Sequence, residues 1–223
     1  MMTQPVIALL GGTFNPIHLG HLRMAQELVE SLQLSEVRFI PAANPPHKPA
    51  PDVGAEQRAA MVRLAIADNP VFTFDDRELH RTGASYTIDT LQSLREEMGE
   101  KVSLILLMGS DAFTKFDTWH RWQEIIQLCH IALVQRPLTA DEHAPDVDHN
   151  LPKSLGTFLH NHYTDHGDDL HSTPAGFVTM HHITALDISS TEIRNTFQQK
   201  RSARYLMPDS VIDYIQAHQL YDI

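Results

Sequence analysis

The chain has 223 residues, 42% hydrophobic and 20% charged, which suits one α/β domain with a well-buried core. Its formal net charge of −11 argues against tight general binding to nucleic acid, and no apolar run reaches the roughly 18 residues that cross a bilayer. Cys129 is the only cysteine, which excludes an internal disulfide, and no basic region precedes the first apolar run, so the expected compartment is the cytosol.

Val6-Ile7-Ala8-Leu9-Leu10 is an apolar run without charge, which predicts a strand buried on both faces of a parallel sheet. Leu22, Ala25, Leu28, Val29 and Leu32 then recur at helical spacing. Between them stands Gly11-Gly12-Thr13-Phe14-Asn15-Pro16-Ile17-His18-Leu19-Gly20-His21, a strand-to-helix turn at the carboxyl end of the first strand. Ligands bind at such turns in open α/β sheets. Gly11 and Gly12 lack a Cβ, so a bulky anion can approach the backbone, and a helix start favours phosphate. His18 and His21 lie three residues apart, so at a helix start they face the same way and can donate hydrogen bonds to phosphate oxygens. The P-loop pattern G-x-x-x-x-G-K-[ST] and the dinucleotide fingerprint G-x-G-x-x-G are both missing.

A second strand is expected over Val37-Arg38-Phe39-Ile40-Pro41. A proline-stiffened loop follows, in which His47 and Lys48 offer two cations to a substrate. Residues 55–68 read as an amphipathic core helix and residues 71–74 as a short strand. Ser85 or Thr87 could cap the next helix, which carries Ile88, Leu91 and Leu94, and would leave N–H groups for a ligand carboxylate. Residues 102–108 form the clearest strand. It ends in Gly109-Ser110-Asp111, where Asp111 can accept hydrogen bonds from sugar hydroxyls or serve as a plain helix cap.

Trp119 and Trp122 precede a helix through Ile125, Ile126 and Leu128. One ring suits the core and one suits stacking on an aromatic ligand. A further strand over residues 130–134 is closed by Gln135-Arg136-Pro137. Residues 139–175 are polar, acidic and rich in histidine at irregular spacing, which fits a solvated surface insertion, one that could be helical, better than a metal site. Residues 176–180 predict the last strand. In Ile188-Ser189-Ser190-Thr191-Glu192-Ile193-Arg194, Ser189 or Ser190 can cap a helix whose start, with Arg194, would make a second phosphate site. A short helix over residues 210–218 follows. No repeat or low-complexity tract interrupts the chain, so one domain, residues 1–223, is expected.

The first turn resembles the G-G-T-F-[DN]-P-x-H-x-G-H signature of the nucleotidyltransferase superfamily, and residues 188–194 resemble its partner signature I-S-[ST]-T-x-[IL]-R. With the blocks at residues 44–48, Glu78-Leu79, Ser85-Tyr86-Thr87, Gly109 and Asp111, Thr118-Trp119, Arg136-Pro137 and Leu206-Met207-Pro208, the whole order resembles the bacterial nicotinate-nucleotide adenylyltransferases. The resemblance implies a Rossmann-like open parallel sheet with helices on both faces and a small C-terminal helical portion. It implies transfer of the adenylyl group of ATP to nicotinate mononucleotide, with Mg²⁺ held mainly by the ATP phosphates and no dedicated protein cage.

His18, His21 and Arg194 would then be catalytic. Gly11, Gly12, Thr13, Phe14, Ser189, Ser190 and Thr191 would bind ATP. Asn15, His47, Lys48, Ser85, Tyr86, Thr87, Asp111, Trp119, His120 and Arg136 would bind the mononucleotide, with the Trp119 ring stacked on nicotinate and backbone N–H groups near Thr87 and His120 on its carboxylate. Asn15 stands where bacterial members usually carry Asp, and His120 where they usually have Tyr. Neither nucleic acid nor a membrane is an expected partner, and the assembly would be a monomer or homodimer. The alternatives are another adenylyl- or cytidylyltransferase of the superfamily, a nucleotide-binding regulator without catalysis, and an RNA-modifying relative of the synthetases.

Overall fold

The apolar run that opens the chain becomes an inner strand of a six-stranded parallel sheet in the computed structural model, which describes residues 5–45, 51, 53–135, 151–184 and 186–221. In chain order the elements begin with β1 (Val6–Gly12), α1 (Leu19–Ser31), β2 (Glu36–Pro41), α2 (Ala55–Ile66) and β3 (Phe72–Phe74). After them come α3 (Thr87–Met98), β4 (Ser103–Gly109), the short α4 (Ser110–Phe113), a 3-10 turn (Phe116–Thr118), α5 (Trp122–Leu128) and β5 (His130–Gln135). The chain continues through α6 (Lys153–His162), α7 (Gly167–Ser172), β6 (Val178–His182), α8 (Ser190–Gln198) and α9 (Asp209–Ala217). All six expected strands form, within two residues of the expected bounds.

The strand order is β3-β2-β1-β4-β5-β6 and every pairing is parallel. This is the doubly wound order, and its direction reverses between β1 and β4. Alternate side chains divide into two cores, because successive residues of a strand face opposite sides of the sheet. Val6, Ala8 and Leu10 of β1 join Ile105 and Leu107 of β4 in one core with α1, α2, α8 and α9. Ile7 and Leu9 join Leu104, Leu106 and Met108 in the other, under α3, α5 and α6. Helices therefore cover both faces, as expected, and the carboxyl ends of β1 and β4 open between them.

Two expectations need correction. The described part of the histidine-rich stretch is not a solvated insertion. Leu155, Phe158, Leu159 and Leu170 are buried, and α6 and α7 form the crossover from β5 to β6. Two of its histidines serve the frame, while His160 and His166 are exposed: a ring nitrogen of His162 meets the Gly176 carbonyl at 2.9 Å and one of His171 meets the Leu32 carbonyl at 3.1 Å. Residues 139–150 lie outside the described residues. The second correction is that α3 has Tyr86 at its N-cap with no side-chain cap, so neither Ser85 nor Thr87 caps it. The Ser85 hydroxyl accepts the Asn44 N–H at 3.3 Å instead.

Candidate active site

The turn after β1 is shaped by two residues with no freedom to change. Phe14 is held at φ 47°, in the left-handed region, and its ring is buried against Phe39 and edge-on to His21. A Cβ on Gly12 would stand 2.9 Å from that ring. Gly12 is thus required by Phe14 rather than by an incoming anion. At Gly11 a Cβ would meet nothing within 4 Å, so there the open space is on the ligand side.

α1 starts with the two histidines locked to each other. His18 is the N-cap residue and is 4% exposed. Its N–H donates to Nδ1 of His21 at 3.3 Å, and the ring centroids are 3.7 Å apart. Because Nδ1 of His21 accepts a backbone proton, the neutral ring carries its own proton on Nε2. His21 therefore offers a fixed donor from the first turn of a helix, where the backbone already favours negative charge.

The turn's carbonyls are tied down from distant parts of the chain. Arg194 of α8 donates Nη1 to the Asn15 carbonyl at 2.8 Å and Nη2 to Oγ1 of Thr191 at 3.2 Å. The Ser190 hydroxyl donates to the Pro16 carbonyl at 2.9 Å. The Tyr221 hydroxyl donates to Oδ1 of Asn15 at 2.7 Å, and burial pushes that phenol well above its ordinary range. Arg58 of α2, 1% exposed, donates to the carbonyls of Thr13 at 2.6 Å, Ala43 at 3.2 Å and Val53 at 3.2 Å. Burial lowers the Arg58 guanidinium from its ordinary value. With its acceptors held from outside, the turn is pre-set before any ligand arrives.

α8 begins beside this turn. Ser189 is its N-cap, accepting the Glu192 N–H at 3.1 Å and donating its hydroxyl to the Glu192 carboxylate at 3.0 Å. The helix starts of α1 and α8 therefore meet at residues 15–16, joined by the Arg194 and Ser190 bonds. That juxtaposition is what the two signatures, far apart in sequence, anticipated.

A cavity of about 450 Å³ opens at the carboxyl ends of β1 and β4, where the strand order reverses. Gly11, Gly12 and Thr13 from the turn after β1 line it together with Ser85, Tyr86, Thr87, Trp119 and His120. The rings of Tyr86 and His120 lie 4.5 Å apart. Trp119 is half-buried, edge-on to Phe116, and contributes to the wall, whereas Trp122 packs against Phe116 and Phe158. Both rings pack on the core, and of the two only Trp119 also lines the cavity. Asn44 and Ser85 exchange two hydrogen bonds, Asn44 N–H to the Ser85 hydroxyl and Ser85 N–H to the Asn44 carbonyl at 3.0 Å, which joins two walls.

The other expected residues fall elsewhere. His18, His21, Ser189, Ser190, Thr191, Arg194 and Asn15 stand at the paired helix starts and not in the cavity wall. Phe14 contributes backbone there, since its side chain is core. Asp111 is exposed in α4 and outside the wall. His47, Lys48 and Arg136 lie outside the described residues. Three further residues carry no expectation from the sequence, and a fourth, Glu78, appears there only within a block of the resemblance. Arg58 and Tyr221 act on carbonyl and amide groups far away in sequence, so no local pattern marks them. Glu78 is a buried wall carboxylate, pushed up by burial against the hydrogen bond it accepts from Thr90 at 2.7 Å. Lys115 is an exposed wall cation in a turn that reads as ordinary linker.

Known proteins resemble this chain in sequence and fold. A family model described as cytidylyltransferase-like matches residues 9–196. A Dechloromonas aromatica protein named probable nicotinate-nucleotide adenylyltransferase is 45% identical over 220 residues, covering 99% of each chain. A Halorhodospira halophila protein of the same name is 46% identical, covering 94% of this chain and 93% of its own. Among solved structures, the Plasmodium falciparum nicotinic acid mononucleotide adenylyltransferase complexed with NaAD covers 98% of both chains with a TM-score of 0.71. At 17% identity that likeness speaks for the fold.

Proposed function

The chain belongs to the cytidylyltransferase-like family, among its nicotinate-nucleotide adenylyltransferases, and from that premise we propose how its residues divide the reaction. It transfers the adenylyl group of ATP to nicotinate mononucleotide, giving deamido-NAD and pyrophosphate in NAD biosynthesis.

The nucleophile needs no activation, because the phosphate of the mononucleotide is already ionised at neutral pH. One of its oxygens attacks the α-phosphorus of ATP as the bond to the bridging oxygen of pyrophosphate breaks. The protein has to hold the two in line and stabilise the charge that gathers on the leaving group. We assign that charge to the paired helix starts: His18 and His21 at the transferring phosphoryl group, and Thr191, Arg194 and the N–H groups of Ser190 and Thr191 at the β- and γ-phosphates. The Ser190 hydroxyl already serves Pro16, so its backbone is the better candidate. Gly11, with open space at its Cβ position, lets the phosphates approach the turn. The observation that carries this reading is the pair of bonds from α8 to the carbonyls of Asn15 and Pro16, which place two helix N-termini beside one turn.

The mononucleotide would occupy the cavity, with its ring on Trp119 and its carboxylate toward the N–H groups at Thr87 and His120. Mg²⁺ fits as an ion carried on the ATP phosphates. Phosphate oxygens and water would hold it, since Mg²⁺ dehydrates reluctantly and is commonly bound through substrate phosphates. When bound it reduces the negative charge that repels the incoming phosphate. No described helix is long and apolar enough to cross a membrane, and we place the enzyme in the cytosol, acting without nucleic acid as a monomer or homodimer.

The experiment is release of pyrophosphate from ATP. Nicotinate mononucleotide should support it, and pantetheine phosphate or cytidine triphosphate with an alcohol phosphate should not. Release with pantetheine phosphate and none with nicotinate mononucleotide would overturn the assignment.

A further inference from the structure

The cavity wall carries one charge of each sign, and the two differ in exposure. Among the described residues that line it, Glu78 and Lys115 are the only carboxylate and the only lysine or arginine. Glu78 is 7% exposed and accepts the Thr90 hydroxyl at 2.7 Å, so its polar capacity faces protein. Lys115 is exposed, and among the described residues no carboxylate pairs with it. A lysine that lines a largely apolar cavity, with no carboxylate partner among the described residues, adds positive potential there.

Its position is fixed by the turn that bears it. Lys115 N–H donates to the Ala112 carbonyl at 3.2 Å. The Lys115 carbonyl accepts the Thr118 N–H at 3.0 Å and the Thr118 hydroxyl at 2.7 Å. Phe116, next in the chain, is fully buried, and Trp119 N–H donates to its carbonyl at 3.0 Å. The same small turn thus sets both the Trp119 ring and the Lys115 backbone. In the substrate reading above, the phosphate of the mononucleotide lies near residues 11–13, where it reaches ATP, and the ring lies on Trp119. The anion nearest the turn that bears Lys115 is then the ring carboxylate.

We propose that Lys115 is a specificity-determining residue that selects a pyridine carboxylate over the corresponding amide. This rests on the substrate reading above and adds a charge to the backbone donors, which an amide oxygen could also use. A charge-assisted hydrogen bond is roughly twice as strong as a neutral one, so loss of the ammonium should change discrimination by about 10-fold.

The test is kcat/KM with ATP and either nicotinate or nicotinamide mononucleotide, for wild type, Lys115→Met and Lys115→Arg. Lys115→Met keeps the apolar stem on an exposed turn, and it should lower the acid-to-amide ratio by about 10-fold, mainly by raising KM for the acid. Lys115→Arg should keep most of the ratio. Equal losses with both substrates would mean that the cation reads their shared phosphate, and would overturn the proposal, as would an unchanged ratio. A wild type inactive with both substrates would overturn the substrate reading itself, and this assignment with it.

Discussion

His21→Ala is expected to lower kcat by about 10²- to 10³-fold while KM for ATP changes little, the pattern of a donor that acts in the transition state. The ring is held by the His18 N–H, which donates to Nδ1 and puts the neutral ring's own proton on Nε2. Phe14 packs edge-on against it, 5.2 Å between centroids, so it cannot swing inward. A donor fixed before the reaction needs no reorganisation as charge develops, and that is where such groups have their largest effect. Steady-state kinetics at saturating mononucleotide measure it, with circular dichroism to show that α1 persists. An unchanged kcat, or a loss seen only in KM, would remove His21 from the transition state. His21→Gln, which retains a donor but not the imidazole, should fall between the two.

The second large effect is on stability. Arg58→Ala should destabilise the fold by about 3–5 kcal/mol, because it leaves three carbonyls without their donor and opens a cavity under the signature turn. The Thr13, Ala43 and Val53 carbonyls all lose a partner at once. For a chain of this size that corresponds to a fall in melting temperature of about 10 °C. Arg58→Lys can restore at most part of the fork geometry and should recover part of the loss. Thermal unfolding of the three proteins decides it. A shift of a degree or less for Arg58→Ala would mean that the turn holds its shape without the guanidinium.

Much of this architecture was readable in the chain because its strands are buried on both faces. A parallel strand under helices has no polar side, so residues 6–10 and 102–108 show as unbroken apolar runs. The site's two signatures were readable for a related reason: a helix start that takes phosphate needs particular residues within a few positions of one another. The misreadings share the opposite cause. Arg58 sits in an amphipathic helix where an arginine suggests the solvent face, and only folding brings the carbonyls of Thr13 and Ala43 around it. Ser85 has the right chemistry for a cap, but Asn44, distant in sequence, claims its hydroxyl. In the stretch after β5 the histidines drew the reading toward solvent. Leu155, Phe158 and Leu159, at positions i, i+3 and i+4, carried the helical signal that settled their burial. Lys115 had no signal at all, because a lysine in a polar turn is indistinguishable from a solvated one until the cavity beside it is known.

Asn15 illustrates how a departure from the family pattern can be absorbed. Its backbone carbonyl serves Arg194 whatever the side chain, and its side-chain amide oxygen accepts the Tyr221 hydroxyl as a carboxylate would. The site keeps its shape while losing one negative charge close to where phosphates are proposed to bind.

The central claim is that the starts of α1 and α8 hold one triphosphate between them. It is tested most directly by a crystal structure with a non-hydrolysable ATP analogue. The triphosphate should lie across residues 11–13, with Nε2 of His21 about 3 Å from an oxygen of the α-phosphate and the Arg194 guanidinium on the β- or γ-phosphate. A triphosphate seated elsewhere, or reaching only one of the two helix starts, would contradict the account.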